Sequence, residues 1–218
     1  MARPVSVVDG KDSEIIPLLL KMHAPEVPNP IILDCTYNTG KMWKGLNVKP
    51  LRFDINSSLD VDVVGDFNRL PFQSNSIDVI VFDPPHLPTN AASANSSLIY
   101  KTRYGITAND DLREGDNISP LFAPFLKEAK RVLRSHGIIL AKLIDLIHNH
   151  KYQWQHVDFI NTVKNLDLTP CDVVIKSDPV SANLQSSKWV NILHFRRKHT
   201  YWIVVRKGPC ERKITNVA

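Results

Sequence analysis

Residues 80–86 read I-V-F-D-P-P-H, and this stretch constrains the fold more than any other part of the chain. An apolar run typical of a buried strand ends at Asp83, and two prolines follow it. Proline fixes φ and lacks an N–H donor, so Asp83-Pro84-Pro85 neither extends a sheet ladder nor enters a helix interior. The sequence therefore predicts a rigid turn at the carboxyl end of a buried strand. In open α/β sheets, ligands bind at that end.

The predicted turn carries two hydrogen-bond acceptors side by side, the carboxylate of Asp83 and the carbonyl oxygen of Pro84. Two such acceptors can hold the two hydrogens of an amino group. His86 follows and offers an imidazole ring that can stack on a planar group. Taken alone, the motif is equally compatible with a plain turn that ends a strand.

Strands and helices alternate along the chain, which predicts a largely parallel sheet in a single α/β domain covering residues 1–218. The expected strands are 31–35, 51–55, 61–65, 75–82, 138–144, 171–175 and 200–206. The expected helices are 12–23, 121–133 and 158–166. An antiparallel pair at the C-terminal end would place residues 191–197 and 200–206 around a turn at Lys198-His199.

Residues 87–119 form the one long irregular stretch that we expect. The stretch is polar and rich in Asn, Ser and Thr. Loops of this length inside compact domains are usually functional lids or disordered segments. Because it follows the Asp-Pro-Pro turn directly, we expect an active-site loop, with a flexible insertion of no function as the alternative.

Composition limits the class of protein. The chain has 218 residues, 43% of them hydrophobic, which is enough for the core of one domain. The formal net charge of +5 and the pI near 9.1 are compatible with a nucleic-acid partner without requiring one. No apolar stretch reaches the roughly 18 residues that a membrane helix needs, and the N-terminus lacks a secretory pattern. We therefore expect a cytoplasmic protein with no membrane partner.

The three cysteines are Cys35, Cys171 and Cys210, and no two of them form a CxxC pair. We interpret them as reduced thiols rather than as a disulfide framework or a zinc site. No other metal-ligand spacing is present, so no metal is expected.

Acidic residues follow three successive expected strands before the Asp-Pro-Pro turn. Asp34 leads into residues 36–40, T-Y-N-T-G, a turn that lets backbone approach a ligand closely. Asp54 ends the next strand, where an acid can accept hydrogen bonds from ribose hydroxyls. Asp66 could accept from an adenine amino group, with Phe67 packing on the ring. Each acid alone is typical of a solvated loop, but together they predict a nucleotide-type cofactor at this edge.

These motifs together resemble the class I S-adenosylmethionine-dependent methyltransferases, specifically the amino-methyltransferases that act on nucleic-acid bases. Residues 33–40 resemble a form of their first cofactor motif with a single glycine. Residues 65–78 resemble their third motif and the run into the fourth strand. Residues 83–86 are similar to their D-P-P-Y motif, with histidine in place of tyrosine. Residues 131–138 resemble their R-V-L-K-P-G-G turn, and the resemblance covers roughly residues 13–206.

The resemblance implies a Rossmann-like, mostly parallel seven-stranded sheet with helices on both faces and a C-terminal antiparallel hairpin. It implies S-adenosyl-L-methionine as cofactor and, as activity, methyl transfer to an exocyclic amino group of a DNA base, N6 of adenine or N4 of cytosine. The implied catalytic residues are Asp83, Pro84, Pro85 and His86. The implied cofactor-binding residues are Asp34, Thr36, Tyr37, Asn38, Gly40, Asp54, Ile55, Asp66, Phe67 and Asp83.

Basic residues interleaved with aromatic ones suit contacts with phosphates and bases. They occur in the long loop and near the C-terminal end. The candidate nucleic-acid contacts are Lys101, Arg103, Tyr104, Arg196, Arg197 and Lys198. The second group also contains Tyr201 and Trp202, and a solvated basic hairpin is an equally good interpretation of it.

Alternatives remain open at this point. DNA is favoured, but the same chemistry on an RNA base fits the same motifs. A non-catalytic, methyltransferase-like binding subunit would explain the single glycine and His86, although the retention of all four acids argues against it. A nicotinamide-dependent dehydrogenase would need a G-x-G-x-x-G turn, which is missing. The sequence does not distinguish a monomer from a homodimer.

Overall fold

The structure, a computed structural model, describes residues 5–85, 118–148, 151–177 and 198–210. The strands are β1 (Val7–Asp9), β2 (Ile32–Asp34), β3 (Leu51–Asp54), β4 (Val63–Val64), β5 (Ile77–Phe82), β6 (Leu133–Leu143), β7 (Leu146–His148), β8 (Lys151–Gln153), β9 (Thr169–Ser177) and β10 (His199–Arg206). The α-helices of these ranges are α1 (Asp12–His23), α2 (Phe122–Val132) and α3 (Gln155–Asn165). Short 3₁₀ turns occupy Lys41–Trp43 and Ser119–Leu121.

One large sheet organises the molecule, with the strand order β1-β9-β10-β6-β5-β2-β3-β4. β10 runs antiparallel to both of its neighbours, β9 and β6, and every other pair in this sheet is parallel. β7 and β8 form a separate antiparallel pair. The prediction of a mostly parallel, Rossmann-like sheet with antiparallel pairing at the C-terminal end is confirmed.

The observed sheet differs from the prediction in its edge. Within the described ranges it has eight strands rather than seven, because β1 pairs in parallel with β9 through Val7 and Ile175. A strand of three mostly exposed residues has no periodic pattern that a sequence could display. Residues 191–197, the expected hairpin partner, lie outside the described residues. So does the expected loop at 87–119, except for its last two residues.

β5 lies in the middle of the sheet and is buried along its whole length. Ile80 and Phe82 point to the face covered by α2 and α3. Val79 and Val81 point to the opposite face, where α1 packs. A parallel strand covered on both faces needs apolar side chains on both of them, which explains the continuous apolar run 79–82 in the sequence.

Aromatic side chains fix the carboxyl end of β5. The ring of Phe82 stacks on that of Phe125 from α2, with centroids 3.8 Å apart. Phe67 meets both of these rings edge-on, with its centroid 5.4 Å from that of Phe82 and 5.8 Å from that of Phe125. The residue that follows Phe82 therefore leaves the sheet from a rigidly packed position.

A carboxylate anchors the other end of β5. Asp78 Oδ2 accepts a hydrogen bond from the backbone N–H of Ile31 at 2.8 Å. Arg134 Nη1 donates to both oxygens of the same carboxylate, at 2.8 and 2.9 Å. These bonds tie β5 to the start of β2 and to β6, so its position is fixed at both ends.

The expectation of three reduced thiols is wrong for two of them. Cys171 and Cys210 form a disulfide, with their Cα atoms 5.8 Å apart. β10 runs antiparallel beside β9, so the chain that leaves β10 returns to the start of β9, a proximity that sequence spacing cannot show. Cys35 is free and buried, and its Sγ lies 3.1 Å from the carbonyl oxygen of Val81. Burial raises the pKa of the Cys35 thiol.

No α-helix within the described ranges is both long and apolar enough to span a bilayer.

Replacing Phe125 by alanine should lower the free energy of unfolding by about 3 to 5 kcal/mol, because the cavity left under Phe82 closes only in part. Urea denaturation of the variant and the wild type measures this difference. Phe125→Leu is the matched control, since it keeps most of the apolar volume and should lose clearly less stability. Equal midpoints for the alanine variant and the wild type would contradict this account of the core.

Candidate active site

The carboxyl ends of the parallel strands meet at one edge of the sheet, and the predicted acids lie there. Asp34 and Asp54 are the last residues of β2 and β3. Asp66 follows β4, and Asp83 follows β5. The chain proceeds from β2 towards β3 and β4 on one side and from β5 towards β6 on the other. Between β2 and β5 the order therefore reverses, and such a switch point opens a crevice in which α/β proteins bind ligands.

The turn after β2 crosses over to the end of β3. Tyr37 donates its backbone N–H to the carbonyl oxygen of Phe53 at 3.0 Å. Asn38 donates its backbone N–H to Asp54 Oδ2 at 2.8 Å. Gly40 has φ +64°, and a side chain there would collide with the ring of Tyr37. The single glycine of this turn is thus required by its conformation and by its surroundings.

Asp34 is buried beneath this turn. Its Oδ2 accepts a hydrogen bond from Trp43 Nε1 at 2.6 Å, and its Oδ1 accepts one from the backbone N–H of Thr36 at 3.1 Å. Burial raises the pKa of Asp34 to about 7. The two hydrogen bonds oppose that rise, and the charges of Asp83 and Asp54 add to it. The carboxyl group holds the turn in place from below.

Asp54 lies beside an exposed apolar side chain. Its carboxylate accepts hydrogen bonds from the backbone N–H groups of Asn38, at 2.8 Å, and Asn56, at 3.0 Å. Each oxygen keeps capacity for a further donor. Ile55, the next residue, is 55% exposed. An acceptor flanked by an apolar surface is what the ribose and base of a nucleotide need.

Two buried amide oxygens near these acids lack a hydrogen bond. Neither Asn38 Oδ1 nor Asn68 Oδ1 has a partner in the part of the chain that the structure describes. Asn38 belongs to the turn after β2, and Asn68 donates its backbone N–H to Asp66 Oδ1 at 2.8 Å. Buried polar atoms are nearly always paired, so two orphaned acceptors this close in the chain to Asp34 and Asp66 favour a ligand with donors.

Asp83 is tied to β2 through its backbone. Its N–H donates to the hydroxyl oxygen of Thr36 at 2.8 Å. Pro84 is buried and Pro85 half-buried. The turn at the end of β5 and the turn after β2 therefore form one connected unit. His86 lies outside the described residues.

A lysine that the sequence analysis missed pairs with Asp83. Lys142, near the end of β6, places its Nζ 3.0 Å from Asp83 Oδ2 and 3.1 Å from Asp12 Oδ2. Burial lowers the pKa of Lys142, but the charges of Asp83 and Asp12 outweigh that effect and raise it. A charged residue inside the apolar run 138–143 was the signal that could have revealed it.

The same cluster continues to β9, next to the edge strand β1. Lys176 of β9 lies 3.1 Å from Asp12 Oδ1. Trp202 Nε1 donates to that oxygen at 3.3 Å. These four side chains alternate in charge and are each mostly buried. We call them the charge cluster: Asp83, Lys142, Asp12 and Lys176.

An aromatic group follows the carboxyl end of β6. Asp145 is fully buried and lies 2.7 Å from His156 Nδ1. The ring of Tyr152 lies 4.1 Å from that of Trp154, and the ring of His156 stacks on that of Tyr201 at the same distance. Trp154 is 52% exposed. We call Tyr152, Trp154, His156 and Tyr201 the aromatic shelf.

The predicted nucleic-acid contacts lie mostly beyond the part of the chain that the structure describes. These are Lys101, Arg103, Tyr104, Arg196 and Arg197. Lys198 is described and exposed. Trp202, named among the aromatic residues of the expected basic hairpin, is fully buried against α1, so its ring is not exposed to solvent.

Comparison with known proteins supports the fold. No protein-family model matches the sequence, and no curated protein is similar to it. Among solved structures, a presumed methyltransferase from Bacillus halodurans superposes with a TM-score of 0.52 at 13% identity, over 90% of this chain and 100% of that protein. The PH0226 protein from Pyrococcus horikoshii gives a TM-score of 0.50 at 14% identity, over 88% and 87%. The described chain therefore has the Rossmann-like methyltransferase fold.

A more distant likeness is to a presumed DNA modification methylase from Thermus thermophilus. The TM-score is 0.45 at 17% identity, and 76% of this chain matches 57% of that protein. The chain thus spans little more than half the length of that relative, and the likeness is too remote to carry a conclusion.

Asp34→Asn should change how stability depends on pH. The folded protein holds a proton on Asp34 up to a pKa of about 7, whereas the ordinary value is 3.8. The unfolded chain binds fewer protons between these values, so wild-type stability should fall as the pH rises through this window, by a few kcal/mol at most. The asparagine carries no charge and should lack this fall. Urea midpoints of both proteins across the window test this, and parallel curves would contradict it.

Proposed function

We propose that this chain transfers the methyl group of S-adenosyl-L-methionine to an exocyclic amino group of a nucleic-acid base, with DNA as the favoured substrate and N6 of adenine or N4 of cytosine as the target. The observation that carries the proposal is the Asp83-Pro84 turn at the switch point of the sheet. The turn carries a carboxylate and a proline carbonyl, and it lies at the same edge of the sheet as the acids that end or follow β2, β3 and β4.

The side chains at this edge of the sheet have the chemical groups that S-adenosylmethionine would need. Asp54 would accept the ribose hydroxyl hydrogens, with Ile55 against the adenine. Asp66 would accept from the adenine amino group, next to Phe67. The turn formed by Thr36, Tyr37, Asn38 and Gly40 would hold the methionine part, and the orphaned oxygen of Asn38 suits its ammonium group. Asp34 would support this turn from below.

Methyl transfer requires that the exocyclic amino group of the base become more nucleophilic. The exocyclic amine of a base is a weak nucleophile because its lone pair is delocalised into the ring. Asp83 and the carbonyl oxygen of Pro84 would accept its two hydrogens and favour a pyramidal nitrogen. S-adenosylmethionine would supply a methyl group on a sulfonium, and the nitrogen would become acidic as it gains that methyl. Asp83 would then accept the proton, and His86 would stack on the base.

The aromatic shelf supports a nucleobase as the target. The target base of a duplex must leave the stack to reach a catalytic pocket. Exposed aromatic rings near a basic surface bind unstacked bases. Trp154 supplies such a ring, and the exposed Lys151 lies three residues before it. Three of the four shelf residues follow β6, the neighbour of β5, and Asp83 comes directly after β5.

The first experiment measures activity on both polymers. Purified protein and tritiated S-adenosylmethionine are incubated separately with unmethylated genomic DNA and with total RNA, and the labelled nucleosides are identified after digestion. Label on N6-methyladenine or N4-methylcytosine from DNA is the expected result. Label only in RNA would move the substrate to the alternative polymer. Cofactor binding without any label would favour a non-catalytic binding subunit.

Asp83→Ala and Asp54→Ala should separate chemistry from cofactor binding. Asp83→Ala should reduce turnover by at least about 100-fold and leave cofactor affinity largely intact, because its partner is the target amine. Asp54→Ala is the reciprocal control and should weaken cofactor binding, measured by calorimetry. Near wild-type turnover in the first variant, or unchanged affinity in the second, would contradict these assignments.

Trp154→Ala should weaken binding of a single-stranded oligonucleotide by roughly 5- to 100-fold, the range expected for one lost base stack. Fluorescence anisotropy measures this affinity without any turnover. Val157→Ala is the matched control, because Val157 is also an exposed apolar residue close by but has no ring. Equal losses in both variants would show that the shelf does not stack bases.

A further inference from the structure

We propose that Lys142 is a positioning residue for the reaction, which holds the carboxylate of Asp83 ionised and in a fixed orientation, and that Asp12 in turn holds Lys142. The inference rests on the proposed function of Asp83. It concerns residues that the sequence motifs do not contain, since Lys142 lies on β6 and Asp12 begins α1.

The sheet register brings Lys142 and Asp83 together. Phe82 of β5 pairs with Ala141 of β6, so the residues that follow them are neighbours on adjacent strands. Val81 and Leu140 both point to the face covered by α1. Side chains alternate along a strand, so Asp83 and Lys142, each two residues further, point to that face as well.

The burial of Lys142 makes its partners significant. Its side chain is 14% exposed and that of Asp12 16% exposed. A buried ammonium is stable only when carboxylates compensate it. Asp12 alone would provide one partner, but the lysine also reaches Asp83 at 3.0 Å. The cation therefore lies between an acid at the proposed reaction centre and an acid at the start of a helix.

The remaining groups around Asp83 show what the cation does. Thr36, in the turn after β2, accepts the backbone N–H of Asp83, and this bond places no positive charge beside the carboxylate. Asp34 is near enough for the two negative charges to repel. From β9, Lys176 reaches Asp12 and not Asp83. Lys142, with its Nζ 3.0 Å from Asp83 Oδ2, thus supplies a positive charge that favours the ionised form of Asp83 against a neighbouring acid.

Lys142 would not exchange protons during the reaction. As the nitrogen–methyl bond forms, the sulfonium–methyl bond would break and its electron pair would return to sulfur, which leaves as a neutral thioether. The amine would lose one proton to Asp83, which passes it to water after product release. Lys142 keeps its three protons throughout. Its contribution is to fix one carboxylate oxygen by a hydrogen bond and to keep Asp83 unprotonated at neutral pH, when it must accept hydrogens.

The test compares Lys142→Met with Lys176→Met in the full-length protein. Lys142→Met should lower kcat at least tenfold and move the acid limb of its pH profile upward by about one unit or more, the usual effect of removing a charge partner at this distance. Lys176→Met is the matched control, because it removes a lysine from the same cluster that does not touch Asp83. Its acid limb should stay in place.

Two further variants separate charge from packing. Lys142→Arg keeps the charge and should keep the acid limb near its wild-type position. Lys142→Gln removes the charge but retains a donor, and it serves if the methionine variant does not fold, as judged by circular dichroism. An acid limb that moves equally in Lys142→Met and Lys176→Met, or in neither, overturns the proposal.

A readout without turnover distinguishes this proposal from the proposed function. The titration of the Asp83 carboxyl carbon is followed by NMR in wild type and in Lys142→Gln. An upward move of the titration midpoint in the variant supports the link between Lys142 and Asp83 even if no nucleic acid is methylated. An unchanged midpoint overturns the link, even if methylation is observed.

Discussion

The burial of β5 on both faces is the constraint on which the rest of the structure depends. Ile80 and Phe82 fill one face of the strand and Val79 and Val81 the other. Asp78 anchors one end, and aromatic packing around Phe82 holds the other. A strand held in this way cannot slip by one residue without exchanging its faces. The packing of β5 therefore also fixes the position of the Asp83-Pro84-Pro85 turn that follows it.

That rigid strand places polar groups at the carboxyl edge, where burying a carboxylate costs free energy. The structure offsets this cost in two ways. Asp34 is buried, accepts hydrogen bonds from Trp43 and Thr36, and has a pKa that burial raises. Asp83, only one strand away, is instead compensated by Lys142. Different environments separate the pKa values of two nearby carboxyl groups. One of them can then be neutral while the other is ionised at the same pH.

Short-range patterns in the sequence predict most of the strands and helices of the fold. The apolar run before Asp83 predicts a central parallel strand, and the helix 12–23 was predicted with its observed bounds. The acids at the strand ends could be placed at one edge because parallel strands all end there. The edge strand β1 and the small β7–β8 pair were not predicted. β2 is as short as β1, but β2 is fully buried, whereas β1 and β8 are partly exposed and show no apolar run.

By itself, the sequence determined the order of the longer or buried strands and of the helices, the turn after β5 and the row of acids, because each depends on residues close together in the chain. Only the tertiary structure decided what those acids touch. The pairing of Lys142 with Asp83 spans 59 residues, and that of Trp202 with Asp12 spans 190. The disulfide likewise joins residues that meet only because β10 returns beside β9. Such contacts follow from strand register and burial, which no local pattern records.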